Sequence, residues 1–115
     1  MKIRHEQMLT LAERARETFI SLQAARLRSV FSQETATLDS VALRSLVESA
    51  FNRAQSYGVV NEQDVELFLD CTLLLAPDFD YNPRFPWAGE SLNDAHLTGT
   101  EKMSVIHDHL LFRNA

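Results

Sequence analysis

The stretch VELFLDCTLLLAPDF, residues 65–79, decides the fold class of this chain. Between Val65 and Leu75 only three positions are not apolar, and no glycine or proline interrupts the run. A helix that is apolar on nearly all sides belongs at the centre of a domain. Pro77 ends it, because proline donates no backbone hydrogen bond and disfavours helical geometry at Ala76. We therefore expect a central helix in which three leucines are mostly buried: Leu69, Leu73 and Leu74.

Residues that begin and end helices lie upstream of this stretch. Asp39 is placed to cap a second helix, and Gly58 stops it because glycine adopts the left-handed conformation without steric cost. Asn61 then caps the central helix, with Asp64 reaching back as in a capping box. The second helix carries apolar residues at helical spacing: Val41, Leu43, Leu46, Val47, Ala50, Phe51 and Ala54.

The first segment, from His5 to about Phe31, predicts a long amphipathic helix without proline or glycine. Its apolar positions include Phe19, Leu22, Ala25 and Val30. A second face is predicted to be basic and is either a solvated surface or a docking site for a partner: Arg14, Arg16, Arg26 and Arg28.

Downstream, Pro86 fits the first turn of a short helix with Leu92 turned inward. Thr98 and Glu101 form a capping box for a last helix, which carries Met103, Ile106, Leu110 and Leu111 at helical spacing. The whole pattern predicts an all-α fold: a single compact domain over residues 1–115, with four main helices, a short helix and a corner rich in proline and aromatic residues.

Size and composition agree with one soluble domain. The chain has 115 residues, of which 45% are hydrophobic, and a single cysteine, Cys71, which we interpret as a buried thiol. The amino terminus lacks the apolar core of a signal peptide, and no apolar run approaches the length of about 20 residues that spans a bilayer. These features predict a cytoplasmic protein without a membrane contact.

The search for catalytic and metal-binding patterns gives no site. His107 and His109 are two positions apart, so a helix places them on different sides. The segment DFDYN, residues 78–82, begins like a calcium loop, but Pro83 and Gly89 stand where the glycine and the bidentate glutamate belong. Asp78 and Asp80 are instead expected to form local turn hydrogen bonds or to face solvent. We expect no cofactor, metal or small-molecule ligand.

Charge separates the chain into a basic and an acidic part. Residues 1–31 carry six basic and three acidic side chains, whereas the whole chain has a net charge of -5. An acidic chain repels phosphate, so nucleic acid is not an expected partner. Between Val59 and Asn82 there is no basic residue, and this acidic segment either attracts a basic protein or serves only solubility.

All three prolines lie between residues 77 and 86, interleaved with Phe79, Tyr81 and Phe85 and followed directly by Trp87. One interpretation is a stiff loop whose rings close the core. The other is a protein-binding surface, because a stiff loop loses little entropy on association and aromatic side chains are favoured at interface hot spots. The candidate binding residues in this corner are Asp78, Asp80, Tyr81, Phe85 and Trp87.

Four motifs in order, FNRAQSYGVVNEQDVELFL, LAPDFD, PWAGESLND and LTGTEKM, give the chain a family resemblance over Phe51–Met103. It resembles the small helical accessory proteins encoded beside effector and effector-chaperone genes in type VI secretion loci of Gram-negative bacteria. The chain departs from that pattern at Ala76, where the family has glycine.

The resemblance implies a cytoplasmic adaptor or co-chaperone without catalytic residues, which assists or restrains the loading of an effector or its chaperone. A second hypothesis is an immunity protein that neutralises a toxin. The third, a small enzyme, requires a polar pocket that the sequence does not display.

Overall fold

The computed structural model describes the backbone of residues 2–112 and the side chains of residues 14–112. Within these residues there is no β-strand, and the all-α prediction of four main helices and a short one is confirmed. The helices are α1 (Lys2–Val30), α2 (Ser40–Ser56), α3 (Glu62–Leu74), α4 (Pro86–Leu92) and α5 (Gly99–Phe112).

The chain groups into two compact units, Met1–Val47 and Glu48–Ala115, so that the boundary falls inside α2. A single domain over residues 1–115 therefore stays a prediction.

In the first unit, α1 pairs with the beginning of α2. Arg44 of α2 forms an ion pair with Glu17 of α1 and donates to the hydroxyl of Ser21 at 3.3 Å. Buried Thr35 closes the connecting turn, because its hydroxyl donates to the carbonyl of Phe31 at 2.8 Å. The buried apolar residues of this unit are Ile20, Leu27, Leu43 and Val47.

The buried face of α1 differs from the predicted one. Leu22 is 62% exposed and Val30 is also exposed, whereas Ile20, Gln23 and Leu27 are buried. Both sets recur every three or four residues, so helical spacing alone does not decide which face is covered. The predicted helix also includes residues 5–13, whose side chains are not among those that the structure describes.

The predicted helix boundaries are largely confirmed. The carboxylate of Asp39 accepts from the amide of Ala42 at 2.7 Å, Asn61 accepts from the amide of Gln63 at 3.0 Å, and Gly58 has φ +80°. At the start of α5, Thr98 and Glu101 exchange both bonds of the capping box. The capping box predicted for Asn61 and Asp64 at the start of α3 is not formed. The carboxylate of Asp64 instead accepts from the hydroxyl of Thr100 at 2.7 Å.

Helix α3 carries the core of the second unit, and α5 packs against both α3 and α4. The prediction for Leu69 is confirmed, but Leu73 is half-buried and Leu74 is 51% exposed. The burial of Leu74 was wrongly predicted because, at about 100° per residue, it lies on the opposite side of the helix from Val65. The buried residues of α3 are Val65, Phe68, Leu69, Cys71 and Thr72.

Other inward positions of the second unit follow the sequence pattern. Leu92, Met103 and Ile106 are buried as predicted, and Leu111 at the end of α5 is exposed. The buried thiol expected for Cys71 is confirmed, and burial raises its pKa to about 12.

The start of α5 lies against the turn that follows α2. A Cβ atom on Gly99 would overlap the carbonyl oxygen of Gly58 and lie 3.1 Å from the Cα of Val59. Lys102, one turn further along α5, donates to the carbonyl of Tyr57 at 2.8 Å. Glycine at position 99 thus allows a helix end and a backbone turn to touch directly.

Candidate functional site

The corner, residues 77–87, includes the tight turns that connect α3 to α4 and the first residues of α4. Asn82 organises its centre, since its side-chain amide donates to Asp78 at 2.9 Å and its side-chain oxygen accepts from the amide of Arg84 at 2.9 Å. The turn hydrogen bond predicted for Asp78 is confirmed. Three backbone amides donate to the carbonyl three residues earlier: Phe79, Tyr81 and Phe85.

Asp80 is the most buried charged group of the corner, with an exposed fraction of 1%. Its two carboxylate oxygens accept from Nε of Arg53 at 3.2 and 3.0 Å. The hydroxyl of Tyr57 donates to one of the same oxygens at 2.9 Å. The interpretation of Asp80 as a solvent-facing or local-turn carboxylate is therefore wrong, because a buried charge requires partners and α2 supplies them.

Arg53 ties several parts of the second unit together. One terminal nitrogen donates to the carbonyl of Pro77 at 2.6 Å, and the other donates to the hydroxyl of Ser49 at 2.6 Å. Its guanidinium also lies 5.8 Å from the centre of the Tyr81 ring, within the range of a cation–π contact. A single side chain thereby fixes the carboxylate, the backbone and an exposed ring of the corner.

Tyr57 belongs to the same hydrogen-bond network around Asp80. It follows Arg53 by four residues, about one helical turn, so the two side chains lie on the same side of the helix axis. Burial, and then its hydrogen bond to Asp80, raise the pKa of the Tyr57 phenol to about 12. The phenol is therefore a neutral donor at physiological pH, and it satisfies an oxygen of Asp80 without adding charge.

Two aromatic residues of the corner point inward. Phe79 is fully buried, and its ring meets that of Phe68 edge-on at 4.8 Å, while Tyr57 approaches Phe68 from 6.1 Å. Phe85 is also buried and lies against the edge of Trp87 at 6.2 Å. The core-closing interpretation of the corner is confirmed for Phe79 and Phe85.

Other rings of this unit remain at the surface. Tyr81 is 65% exposed although Arg53 holds it from beneath. Trp87 is half-buried and stacks on His109 of α5, with ring centres 4.5 Å apart and planes inclined by 13°. Phe85 and Trp87 are thus split, one inward and one partly outward.

The four predicted basic residues of α1 do not share one face. On a continuous helix, at about 100° per residue, Arg14 and Arg28 lie on one side and Arg16 and Arg26 on the opposite side. Arg26 donates to Gln23 at 2.7 Å, and Arg28 donates to the carbonyl of Thr35. A role for these arginines in binding stays a prediction.

Within the described side chains, no group of three histidine, cysteine or acidic residues is arranged to hold a metal ion. None of the described helices combines the length and the apolarity needed to cross a bilayer. No protein-family model, curated protein or solved structure matches this chain.

Sequence reasoning missed Arg53 and Tyr57, which hold the corner, as well as His109, which stacks on Trp87. One signal for Arg53 was present: it is the only basic residue between positions 45 and 83, a stretch with many carboxylates. Such an isolated arginine is a natural partner for a buried acid. The pairing with Asp80 itself depends on how the corner folds back against α2, and no local sequence pattern indicates that contact.

Proposed function

We propose that this chain is a non-enzymatic, cytoplasmic adaptor or co-chaperone that binds an effector or effector chaperone of a type VI secretion system. One observation carries the proposal: the corner is held rigidly from within by Arg53 and Tyr57, yet it leaves Tyr81 exposed. A partner can bury such a fixed aromatic side chain at little cost in conformational entropy.

The energetics of association favour such a surface. Ordering a mobile loop and its side chains opposes binding, whereas a loop already fixed by hydrogen bonds loses little entropy. Tyrosine and tryptophan supply large contact areas and are enriched at interface hot spots. Tyr81 and Trp87 are therefore the residues proposed to contact the partner. Asp80 is a positioning residue, because it fixes Arg53, which lies against the Tyr81 ring.

The family resemblance supplies the biological context of the proposal. Several residues that carry it build this surface or the turn beside it: Tyr57 donates to Asp80, Phe79 fills the core, and Gly99 allows the contact with Gly58. The residues that carry the resemblance thus build the corner and the turn that follows α2, and the proposal takes the corner as the surface used for binding.

Co-expression tests this function. The chain is produced with each protein encoded beside its gene, and complexes are isolated through a tag on the neighbouring protein. We expect co-purification with an effector or its chaperone, and loss of effector secretion when this chain is deleted. Failure to associate with any neighbouring protein, together with unchanged secretion, would contradict the proposal.

A second candidate, an immunity protein, is favoured by the acidity of the second unit. Residues 48–115 carry eleven acidic and four basic side chains, which suits a toxin with a basic surface, such as one that acts on nucleic acid. Expression of the chain in cells that produce the neighbouring toxin separates the two roles. An immunity protein restores growth, whereas an adaptor alters secretion without protecting the cell.

A further inference from the structure

The second unit contains an open cavity of about 420 Å³ beside α4 and α5. Among the residues whose side chains are described, Trp87, Asp108, His109 and Phe112 line it. The volume lies within the range of about 300 to 1,000 Å³ that is usual for ligand sites. The cavity adjoins the corner through Trp87, whose ring contacts Phe85 of the corner and also lines the cavity.

The walls of the cavity are held in place to different degrees. The Trp87 ring is fixed between His109, which stacks on it at 4.5 Å, and buried Phe85, which meets it edge-on at 6.2 Å. Phe112 is 71% exposed and contributes a third ring to the lining. The stacked rings of Trp87 and His109 therefore form one fixed aromatic wall of the cavity.

The charge of the lining points to the kind of ligand. Of the described lining residues, Asp108 is acidic and exposed, and it lies directly before His109 in the chain, whose imidazole also lines the cavity. Aromatic rings attract cations through the negative potential of their faces, with tryptophan the strongest, and a carboxylate adds a direct ion pair. The acidic surplus of residues 48–115 also attracts a cation from a distance.

We propose that this cavity binds an arginine side chain presented by a protein partner. Arginine fits better than lysine because its planar guanidinium stacks on aromatic rings and also forms a forked pair with a carboxylate. The proposal rests on the function proposed above and adds the chemistry of the partner: an arginine within the segment that docks beside α4 and α5.

Trp87 is the only tryptophan of the chain, so its fluorescence and its indole N–H resonance report on this position without interference from a second indole. The purified full chain is titrated with the peptide acetyl-Gly-Arg-Gly-amide and with the citrulline peptide, which has the same shape without the charge. We expect a saturable shift of the Trp87 signal with the arginine peptide, with a dissociation constant on the order of 10 mM. The citrulline peptide should bind at least about threefold more weakly.

Two charge-neutralising variants locate the effect. Asp108→Asn should weaken binding of the arginine peptide about three- to fivefold without changing the melting temperature. The matched control, Glu62→Gln, removes another exposed acidic charge from the same unit but outside the cavity, and should leave the affinity within about twofold. Phe112→Ala removes one ring and should weaken binding about twofold or more.

Four results would overturn the proposal. Equal shifts with arginine and citrulline, or equal losses in Asp108→Asn and Glu62→Gln, would show that no specific cation site exists. A stronger shift with acetyl-Gly-Leu-Gly-amide would identify an apolar groove instead. Dimerisation by sedimentation that Phe112→Ala abolishes would assign the cavity to a second copy of this chain.

These measurements need no natural partner, so they fail independently of the proposed function. If a neighbouring protein binds and Tyr81 contributes to that binding, but the peptides give no difference, only the arginine site is lost. If the peptides discriminate but no neighbouring protein associates, the cation site stands and the adaptor role is lost.

Discussion

Nε of Arg53 lies 3.2 and 3.0 Å from the two oxygens of Asp80, which is 27 positions later in the chain. This contact joins α2 to the corner and buries a carboxylate almost completely. The corner therefore does not keep its shape through proline stiffness alone. It is held by a charged pair, completed by the phenol of Tyr57.

Neutralising Asp80 should destabilise the second unit substantially. Asp80→Asn leaves Arg53, which is largely buried, without its charged partner, and we expect a loss of about 2 to 4 kcal/mol in the free energy of unfolding. The matched change Asp78→Asn affects a carboxylate with a single side-chain contact to Asn82 and should cost less than about 1 kcal/mol. Urea unfolding measures both. Equal stability of Asp80→Asn and the wild type would show that the pair does not hold the corner.

The two sides of α3 should respond differently to truncation. Leu69 is fully buried, so Leu69→Ala should cost about 2 to 5 kcal/mol, whereas Leu74 is half exposed and Leu74→Ala should cost less than about 1 kcal/mol. Chemical denaturation of the two variants compares the same substitution in one helix. Similar losses at both positions would mean that the wrong face of α3 has been placed in the core.

Glycine at position 99 should be indispensable, although alanine normally favours a helix. In Gly99→Ala the new methyl group meets the backbone of Gly58, which cannot move as a flexible side chain can, and we expect a loss of more than about 2 kcal/mol. Gly89→Ala is the control, because the new Cβ atom would lie 3.2 Å from the carbonyl oxygen of Asp80 and would not overlap it. Alanine also raises the helix propensity of α4. This variant should stay within about 1 kcal/mol of the wild type. Unfolding curves that rank the two variants in the opposite order would refute the close approach of α5 to the turn.

The Tyr57 phenol should make stability depend on alkaline pH. Its pKa rises from 10.0 to about 12 on folding, so the folded state favours the neutral phenol. The stability that this preference contributes is fully present below about pH 10 and is lost as the pH rises through about 12. The difference in stability between the wild type and Tyr57→Phe should therefore shrink over this window. A difference that is constant from pH 8 to pH 12 would contradict the raised pKa.

Much of the fold follows from local sequence signals. Asp39, Gly58 and Asn61 mark helix boundaries because their side chains or backbone conformations act within a few residues. The capping box of Thr98 and Glu101 is equally local. Interactions of this kind can be predicted because both partners belong to one short segment.

The site depends on contacts that local patterns do not encode. Asp80 resembles an exposed turn residue until Arg53 is brought to it from α2, and Trp87 meets His109 only because α4 packs on α5. The buried face of α1 was also mispredicted, since Ile20 and Leu22 belong to two sets with the same spacing. Local periodicity therefore identifies the helices but not which of their faces meet.

The central claim is that the corner, fixed by Arg53 and Asp80, presents Tyr81 to a protein partner. Calorimetric titration of the co-purified neighbouring protein into the wild type, Tyr81→Ala and Val41→Ala tests it most directly, because Val41 is an exposed apolar residue of the other unit. We expect Tyr81→Ala to weaken binding about tenfold or more at an unchanged melting temperature, and Val41→Ala to bind like the wild type. Wild-type affinity in a folded Tyr81→Ala variant would contradict the claim and leave the corner a purely structural element.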